Sequence, residues 1–209
     1  MYLPAHFKVD DPTLLAEVMQ AAPLAMLVTL ADGVPTADHL PLTLTPASTG
    51  WQLQGHIARA NPMHRHVANG TEVLAVFRSA DSYVTPNHYP SKKEHGKAVP
   101  TWNYQVVHVR GRLTWHTDAD AARAIVTTLT QEHEAGRAHP WAVSDAPVDY
   151  LETMLKAIVA FSIDITSMVG KFKASQNRVA TDREGLRRGL AEDGLTESEI
   201  AALAREPQP

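Results

Sequence analysis

The chain has 209 residues, 44% of them apolar, a formal net charge of −4 and no cysteine. Its length predicts one domain with a modest appendage, and the missing cysteines exclude disulfides, thiolate nucleophiles and cysteine-ligated metal sites. The acidic balance leaves nucleic-acid binding only to a local basic patch, and the longest apolar run, 158–165, is too short to span a membrane and contains Ser162 and Asp164. The first seven residues carry no basic-then-apolar pattern of a signal peptide, which predicts a soluble, cytoplasmic protein.

In chain order, residues 4–11 read as an extended arm. Asp11-Pro12 opens a helix over 12–22, with Leu14, Leu15, Val18 and Met19 on one face, and Pro23 ends it. A strand over 24–30, the turn Ala31-Asp32-Gly33 and a partner strand over 34–44 make a hairpin. Pro35 and Pro41 mark that partner as irregular or an edge. Residues 45–50 read as a turn and 51–57 as a strand. A short helix over 62–67 follows, with Asn61 as cap and Pro62 at its first position. Strands are predicted at 71–78 and, briefly, 82–85, then a long polar loop over 86–99 and a strand over 101–114.

Residues 118–135 form the clearest helix, with Ala122, Ile125, Val126 and Leu129 as its apolar stripe. Helix 148–156 and strand 157–168 come next, then a basic segment over 170–178. From Arg183 the chain reads as helical and exposed. A last small helix over 196–204 carries the capping pair Thr196 and Glu199, and Pro207 and Pro209 suggest a frayed tail. Strands joined by hairpins and covered by peripheral helices predict an antiparallel sheet or barrel rather than a doubly wound fold.

No dinucleotide, phosphate-loop, serine-elbow or HExxH pattern is present. His64 and His66 stand two apart and share no helix face, so no metal site is predicted. No residue stands out as an obligate catalytic acid, base or nucleophile.

Three clusters remain. Gly55-His56-Ile57-Ala58-Arg59-Ala60-Asn61-Pro62 leaves a strand for a helix; Arg59 offers a planar fork for phosphate, or is a surface arginine beside a cap. Gly170-Lys171-Phe172-Lys173-Ala174-Ser175-Gln176-Asn177-Arg178 sets three cations among short polar donors; it suits a phosphate or a heteroaromatic edge, or is a solvated loop. The stretch from Tyr83 to Lys92, with Val99-Pro100-Thr101-Trp102-Asn103-Tyr104, concentrates rings and amides that wall a pocket, form an interface or pack over a barrel rim.

These strings resemble the PaiB-like family, FMN-binding proteins named as negative transcriptional regulators. The resemblance begins at Met1-Tyr2-Leu3-Pro4-Ala5-His6-Phe7 and includes Asp38-His39-Leu40-Pro41, the three clusters and Tyr89-Pro90-Ser91-Lys92. It covers residues 1–190 and implies a mainly β, FMN-binding split β-barrel with peripheral helices, like flavin reductases and pyridoxamine-phosphate oxidases. It further implies a homodimer with FMN at the interface, on a domain of residues 1–182 with a helical appendage at 183–209. Arg59, Lys171 and Lys173 become phosphate candidates, with His56, Ala58 and Asn61 as neighbours. Ser175, Gln176 and Asn177 would meet the phosphate or ring edge, and His39, Trp102, Asn103 and Tyr104 would lie near the ring. This chain departs from the family at Asn87-His88, where Ser-Trp is usual, and at Ala174, where leucine is commoner.

The resemblance leaves three functions open: an FMN-binding regulator, an FMN-dependent oxidoreductase using NAD(P)H, and a dimeric scaffold with a degenerate pocket. No helix-turn-helix is evident. Arg183, Arg187 and Arg188 make one C-terminal helix basic, whereas Glu192, Asp193, Glu197 and Glu199 make the next acidic, which argues against a DNA-reading helix.

Overall fold

The computed structural model describes residues 1–48 and 50–204. Its strands are β1 (Lys8–Val9), β2 (Leu24–Ala31), β3 (Val34–Pro41), β4 (Thr43–Ala47), β5 (Gly50–Ala58), β6 (Glu72–Val84), β7 (Thr101–His116) and β8 (Ile158–Lys173). Its α-helices are α1 (Pro12–Ala21), α2 (Met63–His66), α3 (Lys92–His95), α4 (Ala119–Glu134), α5 (Val148–Lys156), α6 (Ala180–Glu192) and α7 (Glu197–Leu203). The chain divides into two compact units. The first comprises Met1–Val18, Arg78–Val107 and the described residues from Val169 on; the second comprises Met19–Phe77 and His108–Met168.

The second unit is built on a sheet ordered β3-β2-β6-β7-β8-β5-β4, in which every register resolved is antiparallel. Asp32 and Gly33, at φ 52° and 79°, make the two-residue turn whose twist matches a β2–β3 hairpin. The prolines of β3 sit on an end strand, where a missing ladder donor is tolerated. Pro46 does the same for β4 at the other end, so the small polar residues after Leu44 pair with β5 instead of turning. Helix α4 opens on Asp118, whose carboxylate accepts the Ala121 N–H at 2.7 Å. Its Ala122 and Ile125 pack with Leu155 of α5 and Ala160 of β8.

In the first unit β1 pairs with the last turn of β8, Lys8 opposite Lys171 and Val9 opposite Gly170. That pairing extends β8 through the segment read from composition as a basic loop. The 82–85 stretch is the end of one long β6, and the polar loop after it holds a 3₁₀ turn at Pro86–His88 and the single turn α3.

Helix α6 is not the exposed helix its polar composition suggests. Leu186 and Leu190 are buried with Val84, Tyr89 and Leu203. Gly185 and Gly189 let the chain at 88–90 lie directly on the helix: an added Cβ would stand 2.3 Å from the His88 carbonyl oxygen and 2.0 Å from its Nδ1. Helix α7 keeps its predicted box, with the Thr196 hydroxyl and Glu199 carboxylate each taking the other's backbone N–H. The tail at Pro207 and Pro209 lies outside the described residues.

Candidate functional site

Two sets of predicted residues emerge, one in each unit. In the first unit, alternate positions at the end of β8 carry Lys171 and Lys173. Lys171 is only 9% exposed, and its Nζ lies 5.6 Å from the Tyr2 ring centre and 5.4 Å from that of Tyr104. Lys173 Nζ donates to the Thr101 hydroxyl and the Trp102 carbonyl. Arg178 lies over the Tyr89 ring at 4.8 Å. Burial, then the charges of Lys171 and Arg178, push the Lys173 ammonium below the usual lysine range. Among the described residues none of these three cations pairs with a carboxylate.

The turn after β8 is held by its own side chains. Ser175 adopts φ 56°, and its hydroxyl meets Tyr89 Oη at 3.1 Å and the fully buried Asn103 amide at 3.0 Å. Asn103 Nδ2 also donates to the Leu203 carbonyl at 2.8 Å, tying β7 to α7. Gln176 is spent on structure: its Oε1 accepts from Ala174 N, and its Nε2 donates to the carbonyls of His6 and Phe172. Thr101, Lys173, Ser175, Asn177 and Arg178 border a pocket of about 140 Å³. That is well below the roughly 300–1,000 Å³ of whole-ligand pockets, and suits one compact anionic group. Trp102, 54% exposed, stands edge-on to Tyr83 with ring centres 6.0 Å apart.

In the second unit the predicted residues serve several purposes. Arg59 donates from Nε to the Lys156 carbonyl and from Nη2 to that of Ile158, both at 2.7 Å, and so closes the C-terminal end of α5. His56 shares a sheet face with its cross-strand partner Ala160, which packs beneath α4. Burial lowers the His56 pKa, and its Nδ1 is buried with no partner among the described residues. Ala58 ends β5 opposite Ile158, and exposed His39 lies opposite Met26. The N-cap of α2 is Pro62, one residue later than the sequence predicts, yet Asn61 still serves the helix start: its Oδ1 accepts the Met63 N–H at 2.9 Å, which turns its Nδ2 to Asp38 Oδ1 at 2.8 Å.

Arg178 and Tyr89 lie outside the set of cofactor contacts that the family resemblance implies. Arg178 stands in the same basic string as Lys171 and Lys173, so that string was the available signal. Tyr89 reaches Ser175 across 86 positions, and no local pattern announces this.

The family model described as "Putative FMN-binding domain" matches residues 1–167. The chain belongs to this FMN-binding family. A relative in Bacillus subtilis, "Protease synthase and sporulation protein PAI 2", is 31% identical over 182 residues, covering 87% of this chain and 85% of its own. An uncharacterized protein of Aspergillus fumigatus is 32% identical over 240 residues, covering 93% and 92%. Among solved structures, the FAD and heme binding protein of Mycobacterium smegmatis superposes with a TM-score of 0.59 at 19% identity, over 79% of this chain and 73% of that one. The flavocytochrome Anf3 of Azotobacter vinelandii gives 0.58 at 15%, over 80% and 69%. At such identities the likeness concerns the fold, a mainly β split barrel with peripheral helices.

FMN is the cofactor that family membership assigns, and the donor set of the first-unit pocket fits its phosphate. The pocket offers an ammonium, a guanidinium, an amide and a hydroxyl, with no carboxylate among its lining residues. Among the described residues no helix is long and apolar enough to cross a membrane.

Proposed function

We propose that this protein is an FMN-binding member of the PaiB-like regulator family, working as a homodimer, with the flavin phosphate held by Lys173, Arg178, Ser175 and Asn177. One observation carries the reading: Lys173 and Arg178 border partly desolvated space, Lys171 is close enough to disfavour the Lys173 ammonium, and among the described residues none of the three has a carboxylate counter-ion. Burial, and then the like charges of Lys171 and Arg178, disfavour the ammonium form of Lys173, and a dianionic phosphate beside it opposes that penalty. Lys171 supports the site from between its two tyrosine rings. Exposed Trp102 and Tyr83 supply aromatic surface for the isoalloxazine ring.

Bound FMN supplies redox chemistry, while the protein orients it and sets its electrostatic surroundings. Tyr89 and Lys173 border the pocket, and hydride transfer to a flavin asks for orientation more than for an acid, base or nucleophile, so the site fits flavin sensing and an FMN-dependent oxidoreductase alike.

A homodimer is favoured by the second unit. Leu24, Met26 and Leu30 alternate along β2 on one face and are exposed, and their partners Pro41, His39 and Pro35 carry no formal charge when His39 is neutral. A second copy is the occupant that would cover such a face.

The test is FMN titration by fluorescence quenching. Lys173→Met and Arg178→Ala should each weaken FMN by about 10- to 100-fold, the range expected for a lost charge-assisted bond. Arg59→Ala should lower the melting temperature, because it frees the carbonyls of Lys156 at the end of α5 and of Ile158 at the start of β8, and change FMN affinity far less. The opposite ranking would move the phosphate to Arg59. Anaerobic NADH or NADPH then separates the roles, since rapid bleaching of bound flavin would make the protein an oxidoreductase.

A further inference from the structure

Helix α7 has seven residues, too few to hold its shape without tertiary support. Its last carbonyls find no partner inside the helix. Two amide side chains from one face of β7 serve them: Asn103 Nδ2 donates to the Leu203 carbonyl at 2.8 Å, and Gln105 Nε2 to that of Ala202 at 3.1 Å. Gln105 Oε1 accepts the Ser79 hydroxyl at 3.0 Å, which turns its NH₂ toward the helix.

Asn103 also borders the anion pocket and bonds to Ser175, another of its lining residues. Tyr89 is a second link. It lines the pocket and meets Ser175 Oγ at 3.1 Å, and it is buried in one cluster with Leu203 and Ala204.

We propose that a phosphate in the anion pocket strengthens the docking of α7, so that the C-terminal helix reports whether flavin is bound. The inference rests on the assignment of the flavin phosphate to this pocket. Asn103 presents both Nδ2 and Oδ1 to Ser175 Oγ, at 3.0 and 3.2 Å. The single Ser175 hydroxyl proton can thus go to Asn103 Oδ1 or to Tyr89 Oη. A phosphate that accepts this proton removes the choice. Ser175 then only accepts, from Asn103 Nδ2 and from Tyr89, and the second Nδ2 proton is held on Leu203. Hydrogen bonds aligned from Asn103 through Ser175 to an anion strengthen one another. Linkage makes the effect mutual: docked α7 holds the Asn103 NH₂ toward Ser175 and leaves the serine proton to the pocket.

The experiment is hydrogen–deuterium exchange of the full chain, read over Glu197–Leu203 and, for reference, over Ala119–Glu134 of α4 in the other unit. FMN is added to a level that fluorescence quenching shows to be saturating. It should slow exchange in α7 about fivefold or more and leave α4 near its flavin-free rate. Ser175→Gly removes the hydroxyl and suits the φ of 56°, so the chain should fold; once saturated with FMN, its α7 should exchange as fast as without it. Leu203→Ala loosens α7 from within its apolar cluster and should weaken FMN about fivefold or more. Ile200→Ala, on the rim of that cluster, tests the same link if Leu203→Ala does not fold. Saturable FMN binding with α7 unchanged, or slowed no more than α4, would overturn the coupling and leave the flavin reading standing. Full FMN protection of α7 in Ser175→Gly, or parent-like FMN affinity in the α7 variants, would overturn it too. A chain that binds no FMN would sink both.

Discussion

His88 Nε2 lies 2.9 Å from Asp193 Oδ2, joining the turn before Tyr89 to the end of α6 across 105 positions. The ring is otherwise enclosed, its side chain 10% exposed, and it rests on the bare backbone at Gly189. This is the position where the resembling family usually has tryptophan. An imidazole with a carboxylate partner lets a smaller, polar ring fill the place.

Gly189→Ala should therefore be costly despite the higher helix propensity of alanine. Its methyl carbon would fall 2.0 Å from His88 Nδ1, and the ring has little room to retreat. Overpacking of this kind costs about 1–3 kcal/mol, which lowers the melting temperature of a chain this size by roughly 2–12 °C. Calorimetry checks it, and His88→Ala in the same chain should recover much of the loss. A Gly189→Ala variant that melts at or above the parent temperature contradicts the packing described.

Asn103→Ala should loosen the C-terminal helix. The substitution leaves the Leu203 carbonyl without its Asn103 donor, at a cost of about 1–3 kcal/mol, and takes one of two partners from the Ser175 hydroxyl, which keeps Tyr89. Urea unfolding should show a lower midpoint, and amide exchange should show faster exchange in α7 before the rest. Unchanged protection of α7 would mean the tie is dispensable.

Acid should destabilise the fold through His56. Its folded pKa lies below the usual histidine value because burial disfavours the imidazolium. The unfolded chain then binds more protons from about pH 6.5 downward, so stability falls as pH drops from there through the folded pKa. Below that pKa both states are protonated and His56 adds no further slope. His108, also lowered chiefly by burial, adds to the same trend. Melting temperatures of His56→Asn and the parent between pH 7.5 and 5 should converge on acidification, and parallel curves would remove His56 as a cause.

Met26→Lys should change the oligomeric state and leave the hairpin folded, since the side chain is on the outer face of β2. Light scattering behind size-exclusion chromatography should report a dimer for the parent and a monomer for the variant. A parent that elutes as a monomer at micromolar concentration would sink the dimer proposal.

The features legible in the residues alone were those whose causes lie within a few positions. Asp32-Gly33 forms its turn because two successive positive-φ residues suit a tight hairpin. Asn61 takes the first N–H of α2, Asp118 caps α4 and Thr196 pairs with Glu199, each because an oxygen faces an orphan N–H two or three residues on. The strings around Arg59, Trp102 and Lys171 were likewise enough to indicate the FMN-binding family.

Tertiary structure decided what those residues touch. Arg59 closes a helix end 97 positions away, which its local sequence cannot indicate. The basic segment from Gly170 becomes strand because β1 supplies a ladder partner from the other end of the chain. Helix α6 is covered despite its polar composition, because Gly185 and Gly189 share one face and permit backbone contact that side chains would block. Periodicity and caps are local energies and can be read along the chain. Burial, charge clustering and orphaned polar groups depend on which distant segments meet, and they exist only once the chain has closed on itself.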